Sequence, residues 1–249
     1  MVIIRGVRFP RIVVPTPEAL AEAAAQRFAT AASEAVQSHG EFVVALSGGA
    51  TPLALYSRLA APPYASTVPW SLVQVLWSDE RCVAPNHAAS NYRMAREALL
   101  DHVPVRAENV HRIRGEDDPV VAAQAYERTL RTVLRGARID LVLLGLGDDG
   151  HTASLFPDAH DVPDSEAWVV ARYHVASSIW RVTLTPVVIN AAAEVLFLVS
   201  GEGKAAIVHR VLEGPRRPQE LPAQLIAPAD GRILWLLDAA AARDLEDRK

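Results

Sequence analysis

The feature that most constrains this chain is the recurrence of short, uninterrupted apolar runs between helix-like segments. EFVVALS (41–47), LVQVLWSD (72–79) and IDLVLLGLG (139–147) are dominated by aliphatic residues, many of them β-branched, with little polar alternation. Such runs suit strands covered on both faces, the condition inside a parallel sheet. The segments between them read as helices. Thr16 and Pro17 form an N-cap followed by a first-turn proline, the alanine-rich run 18–38 is long enough for a helix, and Gly40 is placed to end it. Thr51-Pro52 repeats the cap-plus-proline pattern before a helix to Leu59, and Ser90 is placed to cap a helix through Leu100. Further helices are expected at 119–134, 186–192, 203–213 and 238–246. Further strands are expected near Val110–Ile113 and at 168–173, 180–184, 194–200 and 232–237. Strands alternating with helices imply an α/β fold: a mostly parallel sheet with helices on both faces, a modified Rossmann-like three-layer sandwich. No repeat or long charge run divides the chain. The proline-rich stretch Gly214–Pro228 reads as a loop, so residues 1–249 are expected to form one domain.

Composition narrows the class. Half of the residues are hydrophobic, which excludes a disordered chain. A single cysteine, Cys82, makes an intramolecular disulfide impossible and fits a reducing, cytoplasmic setting. No run of about 18 apolar residues is present to span a membrane. Arg5 and Arg8 interrupt the apolar start, so no signal peptide is expected. Twenty-five Lys and Arg against 29 Asp and Glu give a net charge of −4, which argues against a nucleic-acid partner. The oligomeric state stays open, and a monomer is compatible with the sequence.

Ligands of open parallel sheets bind outside the carboxyl ends of the strands, and three strand ends carry unusual residues. Ser47-Gly48-Gly49-Ala50-Thr51-Pro52 joins a strand to a helix. Its glycines permit close backbone approach, the helix start offers free N–H groups, and Ser47 and Thr51 add hydroxyls, together a phosphate cradle. It is neither a Walker loop nor a dinucleotide fingerprint. The same residues also suit a plain tight turn. Asp79, Glu80 and Arg81 end the second run; Asp79 is placed to bond sugar hydroxyls and Arg81 to hold a phosphate. A solvated loop with a surface ion pair is the competing reading. Gly145 to Pro157 reads GLGDDGHTASLFP, with Asp149 and His151 two residues apart. On an extended segment their side chains share a side, giving a carboxylate–imidazole pair for proton transfer. A metal site would want more ligands, and His160 is the other histidine nearby, so none is expected. Arg181 opens the strand RVTLT, and Lys204 stands at a helix start, where an anion would offset its opposition to the helix dipole. The histidines at 39, 87, 102, 111, 174 and 209 lack comparable settings.

Taken together, GLGDDGHTASLFP (145–157), SGGATP (47–52), SDERCV (78–83), RVTLT (181–185) and SGEGKA (200–205) resemble the 6-phosphogluconolactonase family, in the expected order. The related deaminases share an Asp-Gly-His core but continue through Ile-Ala-Phe to a catalytic glutamate, whereas here Thr152 to Pro157 takes the lactonase form. The chain departs from the family at Gln224, where a serine is common, and at Ser177–Trp180, which lack a common proline. The resemblance implies hydrolysis of 6-phospho-D-glucono-1,5-lactone to 6-phosphogluconate in the oxidative pentose phosphate pathway, with no cofactor. It implies His151 as general base on water and Asp149 as its orienting partner. Ser47, Gly48, Gly49, Thr51, Asp79, Arg81, Arg181 and Lys204 are then the substrate-binding candidates. A deaminase or isomerase on the same fold, and a non-catalytic sugar-phosphate sensor, are the alternatives; the presence of both Asp149 and His151 favours an enzyme.

Overall fold

The computed structural model describes residues 3–4, 9–157 and 166–246. His160 and the rest of the segment 158–165, and Arg5 and Arg8, lie outside the described residues. In chain order the elements are β1 (Ile3–Ile4), β2 (Arg11–Val14), α1 (Pro17–His39), β3 (Phe42–Leu46), α2 (Ala50–Leu59), α3 (Tyr64–Thr67), β4 (Val73–Trp77), β5 (Asp79–Arg81), α4 (Asn91–Ala98), α5 (Pro119–Leu134), β6 (Leu141–Leu144), β7 (Val169–His174), β8 (Ile179–Leu184), α6 (Pro186–Asn190), β9 (Glu194–Val199), α7 (Ala205–Leu212) and β10 (Arg232–Asp238).

The main sheet has seven strands in the order β1-β2-β10-β9-β6-β3-β4. Every neighbouring pair from β2 to β4 is parallel, and β1 pairs antiparallel to β2. All residues of β3, β6 and β9 are buried, so both faces of the sheet centre are covered. This is the physical content of the uninterrupted apolar runs. α1 presents Leu20, Ala21, Ala24, Ala25, Phe28, Ala31, Ala32 and Ala35 to the core at helical spacing. Its alanines let it lie close to the sheet, and Phe28 supplies bulk, edge-on to Phe42 at 5.2 Å. Burying one such ring stabilises the fold by about 2–3 kcal/mol. Thr16 and Gly40 cap α1 as the sequence predicts: the Thr16 hydroxyl accepts from Ala19 N at 3.2 Å and Gly40 is left-handed at φ 93°.

Four expectations change. LVQVLWSD stops at Trp77; after Ser78, which donates its N–H to Leu46 O at 2.7 Å, the chain starts a second sheet, β5-β8-β7, antiparallel throughout. Asp79 and Glu80 are therefore buried strand residues, not a solvated loop. The strand expected at Val110–Ile113 reduces to one bridge between Val75 and Val110. The helix expected at 238–246 is a series of turns; Asp238 caps the first of them by accepting from Ala241 N and also accepts from Ser200 Oγ and Gly201 N. α2 begins at Ala50, with Gly49 at the cap position and no side-chain cap, so Thr51 lies inside the first turn rather than before it.

Candidate active site

A cavity of about 450 Å³ opens where β3, β6 and β9 end. The sites picked out at three strand ends converge there, and Ser47, Gly48, Gly49, Thr51, Asp79, Arg81, His151, Arg181 and Lys204 all line it. Asp149 is not among the lining residues but bonds His151 directly.

The β3 side is held by buried bonds. Tyr56, from α2, accepts from Ser47 N at 3.0 Å and donates to Ser47 O at 2.7 Å, so one phenol fixes the strand end. Burial keeps that phenol protonated by pushing it well above its usual range. Tyr126 does the same for Trp77 at the end of β4. Gly48 is required by space: a Cβ there would meet Asn91 Oδ1 at 2.0 Å. Gly49 has φ 111° and turns the chain into α2, whose first turn has no side-chain cap and borders the cavity. The buried Ser47 hydroxyl makes no hydrogen bond among the described residues.

The second sheet brings the arginines. Arg81 on β5 is register partner to Arg181 on β8. Like charges so placed repel, and burial first, then Arg81, lowers the Arg181 guanidinium from its ordinary value. Asp79, 5% exposed, opposes them. It accepts from Ser154 Oγ at 2.7 Å and Asn91 Nδ2 at 3.0 Å and lies 3.8 Å from Arg181. Asp79 thus positions Arg181 and the loop bearing Ser154. Glu80 accepts from Ser90 Oγ and from the N–H groups of Arg81, Asn91 and Tyr92. Burial still pushes its carboxyl up. Arg81 donates to Ala89 O at 2.8 Å, and its Nε and that of Arg181 make no hydrogen bond.

After β6 the chain turns through Gly147–Gly150. The Asp149 carboxylate accepts from His151 N at 3.0 Å and lies 2.6 Å from His151 Nδ1. The shared side thus comes from an Asx-type turn, not from an extended segment. Partial burial raises the Asp149 carboxyl, but the bonds from His151 outweigh it and hold it at about 2. An ionised carboxylate only accepts, so Nδ1 carries the proton and Nε2 is left as the basic nitrogen. Gly147 is required here, since a Cβ would meet His151 Nδ1 at 2.0 Å. Phe156 lies 4.9 Å from the His151 ring and stacks on His174 at 4.1 Å.

Lys204 donates to Leu146 O at 2.7 Å and to Asp148 Oδ1 at 2.5 Å. Its turn is set by Asp238, which accepts from Ser200 Oγ at 2.5 Å and Gly201 N at 3.0 Å.

Sequence reasoning missed Tyr56, Tyr126, Asn91, Asp238 and Phe156. Tyr126 sits 49 residues from the strand it fixes, and Tyr56, only nine residues from Ser47, reads in sequence as an ordinary buried helix residue. Gln224 is buried away from the cavity, accepting from Arg217 N and donating to the carbonyls of Val211 and Pro215. The Ser177–Trp180 departure forms a tight turn with Ser178 at φ 51°. The loop before Gln224 braces the histidine turn: Ala223 N donates to Gly150 O at 3.0 Å, and Leu221 packs where a Gly150 side chain would go.

Among the described residues no group of three or more His, Cys, Asp or Glu could hold a metal ion, and no helix is long and apolar enough to cross a membrane.

The model of the family described as glucosamine-6-phosphate isomerases/6-phosphogluconolactonase matches residues 15–235. A 6-phosphogluconolactonase of Nostoc sp. is 38% identical over 239 residues, covering 94% of this chain and 97% of that protein. The solved 6-phosphogluconolactonase from Trypanosoma cruzi superposes with a TM-score of 0.84 at 28% identity, over 94% of this chain and 96% of that one. A solved monomeric glucosamine-6-phosphate deaminase, 22% identical with a TM-score of 0.80, covers 94% of this chain and 99% of that chain and shares the fold.

Proposed function

The chain belongs to the glucosamine-6-phosphate isomerase/6-phosphogluconolactonase family, and on that premise we propose that it hydrolyses 6-phospho-D-glucono-1,5-lactone to 6-phosphogluconate with His151 as general base. The observation that carries the mechanism is the 2.6 Å Asp149–His151 pair beside a cavity lined by Arg81, Arg181 and Lys204. His151 Nε2 takes a proton from a water whose oxygen attacks the lactone carbonyl carbon. The tetrahedral intermediate collapses by breaking the bond to the ring oxygen, and the imidazolium returns its proton to that oxygen. Asp149 orients the ring and stabilises its charged form. Proton transfer of this kind contributes roughly 10²–10⁴-fold. The Ser47–Thr51 turn, Arg81, Arg181 and Lys204 hold the phosphate and sugar, and Asp79 keeps Arg181 in place. We place the enzyme in the cytoplasm, acting as a single domain in the oxidative pentose phosphate pathway.

The fold is shared with a deaminase, so the substrate rests on the loop chemistry and the named relatives. A coupled or stopped-flow assay on freshly generated lactone, read against spontaneous hydrolysis, tests it. Acceleration of lactone opening is the expected result. Ammonia release from glucosamine-6-phosphate with no effect on the lactone would sink the reading.

A further inference from the structure

The acids in and beside the cavity differ in how firmly they are held. Asp79 is buried and bonded to Asn91 and Ser154 beside Arg181. Asp149 is committed to His151 through two bonds. Glu202, in the turn that carries Lys204, is turned to Arg243. Asp148 is different. Its side chain is 85% exposed, and it accepts a bond from Lys204 Nζ at 2.5 Å. Lys204 itself is 27% exposed and is also anchored to a main-chain oxygen, Leu146 O, at 2.7 Å.

We propose that Asp148 is a displaceable counter-ion: it occupies Lys204 until the anionic ligand arrives, then yields that hydrogen bond to the ligand's phosphate and weakens the binding of product more than of substrate. This rests on the reading of the cavity as a phosphorylated-lactone site. The exchange is physically inexpensive, because an exposed ion pair contributes little and water resolvates the departing carboxylate. Lys204 does not wander meanwhile, since the Leu146 carbonyl keeps its ammonium in place. Asp148 cannot leave altogether. It stands three residues before His151, so its charge stays within about one Debye length, roughly 8 Å at physiological salt, of the bound ligand. There it repels anions in proportion to their charge. Opening the lactone converts a neutral ester into a carboxylate, so product carries one more negative charge than substrate. Asp148 is thus a specificity residue that favours product release without touching the reacting atoms.

The test is calorimetric titration of wild type, Asp148→Asn, Lys204→Met and the double variant with 6-phosphogluconate and, separately, with inorganic phosphate. Asp148 is exposed, so its substitution leaves folding intact. Asp148→Asn is expected to tighten 6-phosphogluconate binding about tenfold at low ionic strength and only about two- to threefold at physiological salt. The gain for inorganic phosphate is expected to be smaller, and Asp148→Glu to restore wild-type affinity. In the Lys204→Met background the part of the gain that comes from competition for the ammonium is lost and only the through-space part remains, so the gain should be smaller. Unchanged or weaker binding in Asp148→Asn, or an equal gain with and without Lys204, overturns the proposal. If Asp148→Asn tightens phosphate binding while the wild-type protein leaves the lactone untouched, the lactonase reading falls and the counter-ion stands. If the lactone is hydrolysed and Asp148→Asn binds as wild type does, the counter-ion falls alone.

Discussion

The two ends of the same parallel strands carry cavities of opposite character. At the amino ends of β3, β9 and β10 lies the larger one, about 650 Å³, lined by His39, Asp140, Glu194 and Arg232. Its two most buried carboxylates have partners. Asp140 accepts from Val43 N at 2.8 Å and lies 2.9 Å from His39, and Glu194, 3% exposed, takes Arg27 and Arg232. At the carboxyl ends the smaller cavity keeps Ser47 Oγ, Arg81 Nε and Arg181 Nε without hydrogen-bond partners among the described residues. Unmet hydrogen-bonding capacity in a buried setting costs stability; three such groups line the carboxyl-end cavity and, among the described residues, none lines the amino-end one, so the first is where a ligand has partners to supply. Volume alone would have chosen the wrong end.

That contrast can be broken from either side. The largest expected effect is at the carboxyl end: His151→Ala lowers kcat at least about 100-fold while 6-phosphogluconate still binds by calorimetry. Near-wild-type turnover would remove His151 from the mechanism. Next is the amino end. Glu194→Ala leaves Arg27 and Arg232 without their shared carboxylate and should cost about 2–4 kcal/mol in urea unfolding. Turnover at a permissive temperature should stay as in wild type; a fall in turnover matching that at His151 would erase the distinction between the ends. Lys204→Ala should raise KM about tenfold, through loss of a charge-assisted bond, with little change in melting temperature. An unchanged KM and kcat would make Lys204 a bystander.

The smallest effect is a pH dependence. Asp149 has an ordinary value of 3.8 and is held at about 2 in the native state. Between those values the unfolded chain binds more protons than the native one, so this contribution is present above the ordinary value and is lost as pH falls through about 2. The melting-temperature gap between wild type and Asp149→Asn should therefore shrink as pH is lowered from about 5 to 2. The pair is half exposed and solvent-screened, so the gap is expected to be small. A gap that widens on acidification would contradict the pairing.

Much of this was readable from sequence. Aliphatic runs require cover on both faces, which dictated the parallel sheet, and glycines beside polar residues at strand ends located the chemistry. Local rules succeeded where the physics is local: Thr16, Ser90 and Gly40 cap the helices expected of them. They failed where a distant partner decides. Asp79 and Glu80 look like a solvated loop until β8 arrives to pair with them.

The sequence by itself determined the layered fold, the strand ends worth searching and the residue types able to bind a phosphate and move a proton, because periodicity and side-chain chemistry are properties of neighbouring residues. Only the tertiary structure decided which of those residues share one cavity, that Asp79 lies beside Arg181, and that Asp148 bonds Lys204. Those are distances between segments far apart in the chain, set by how the strands are ordered in the sheet.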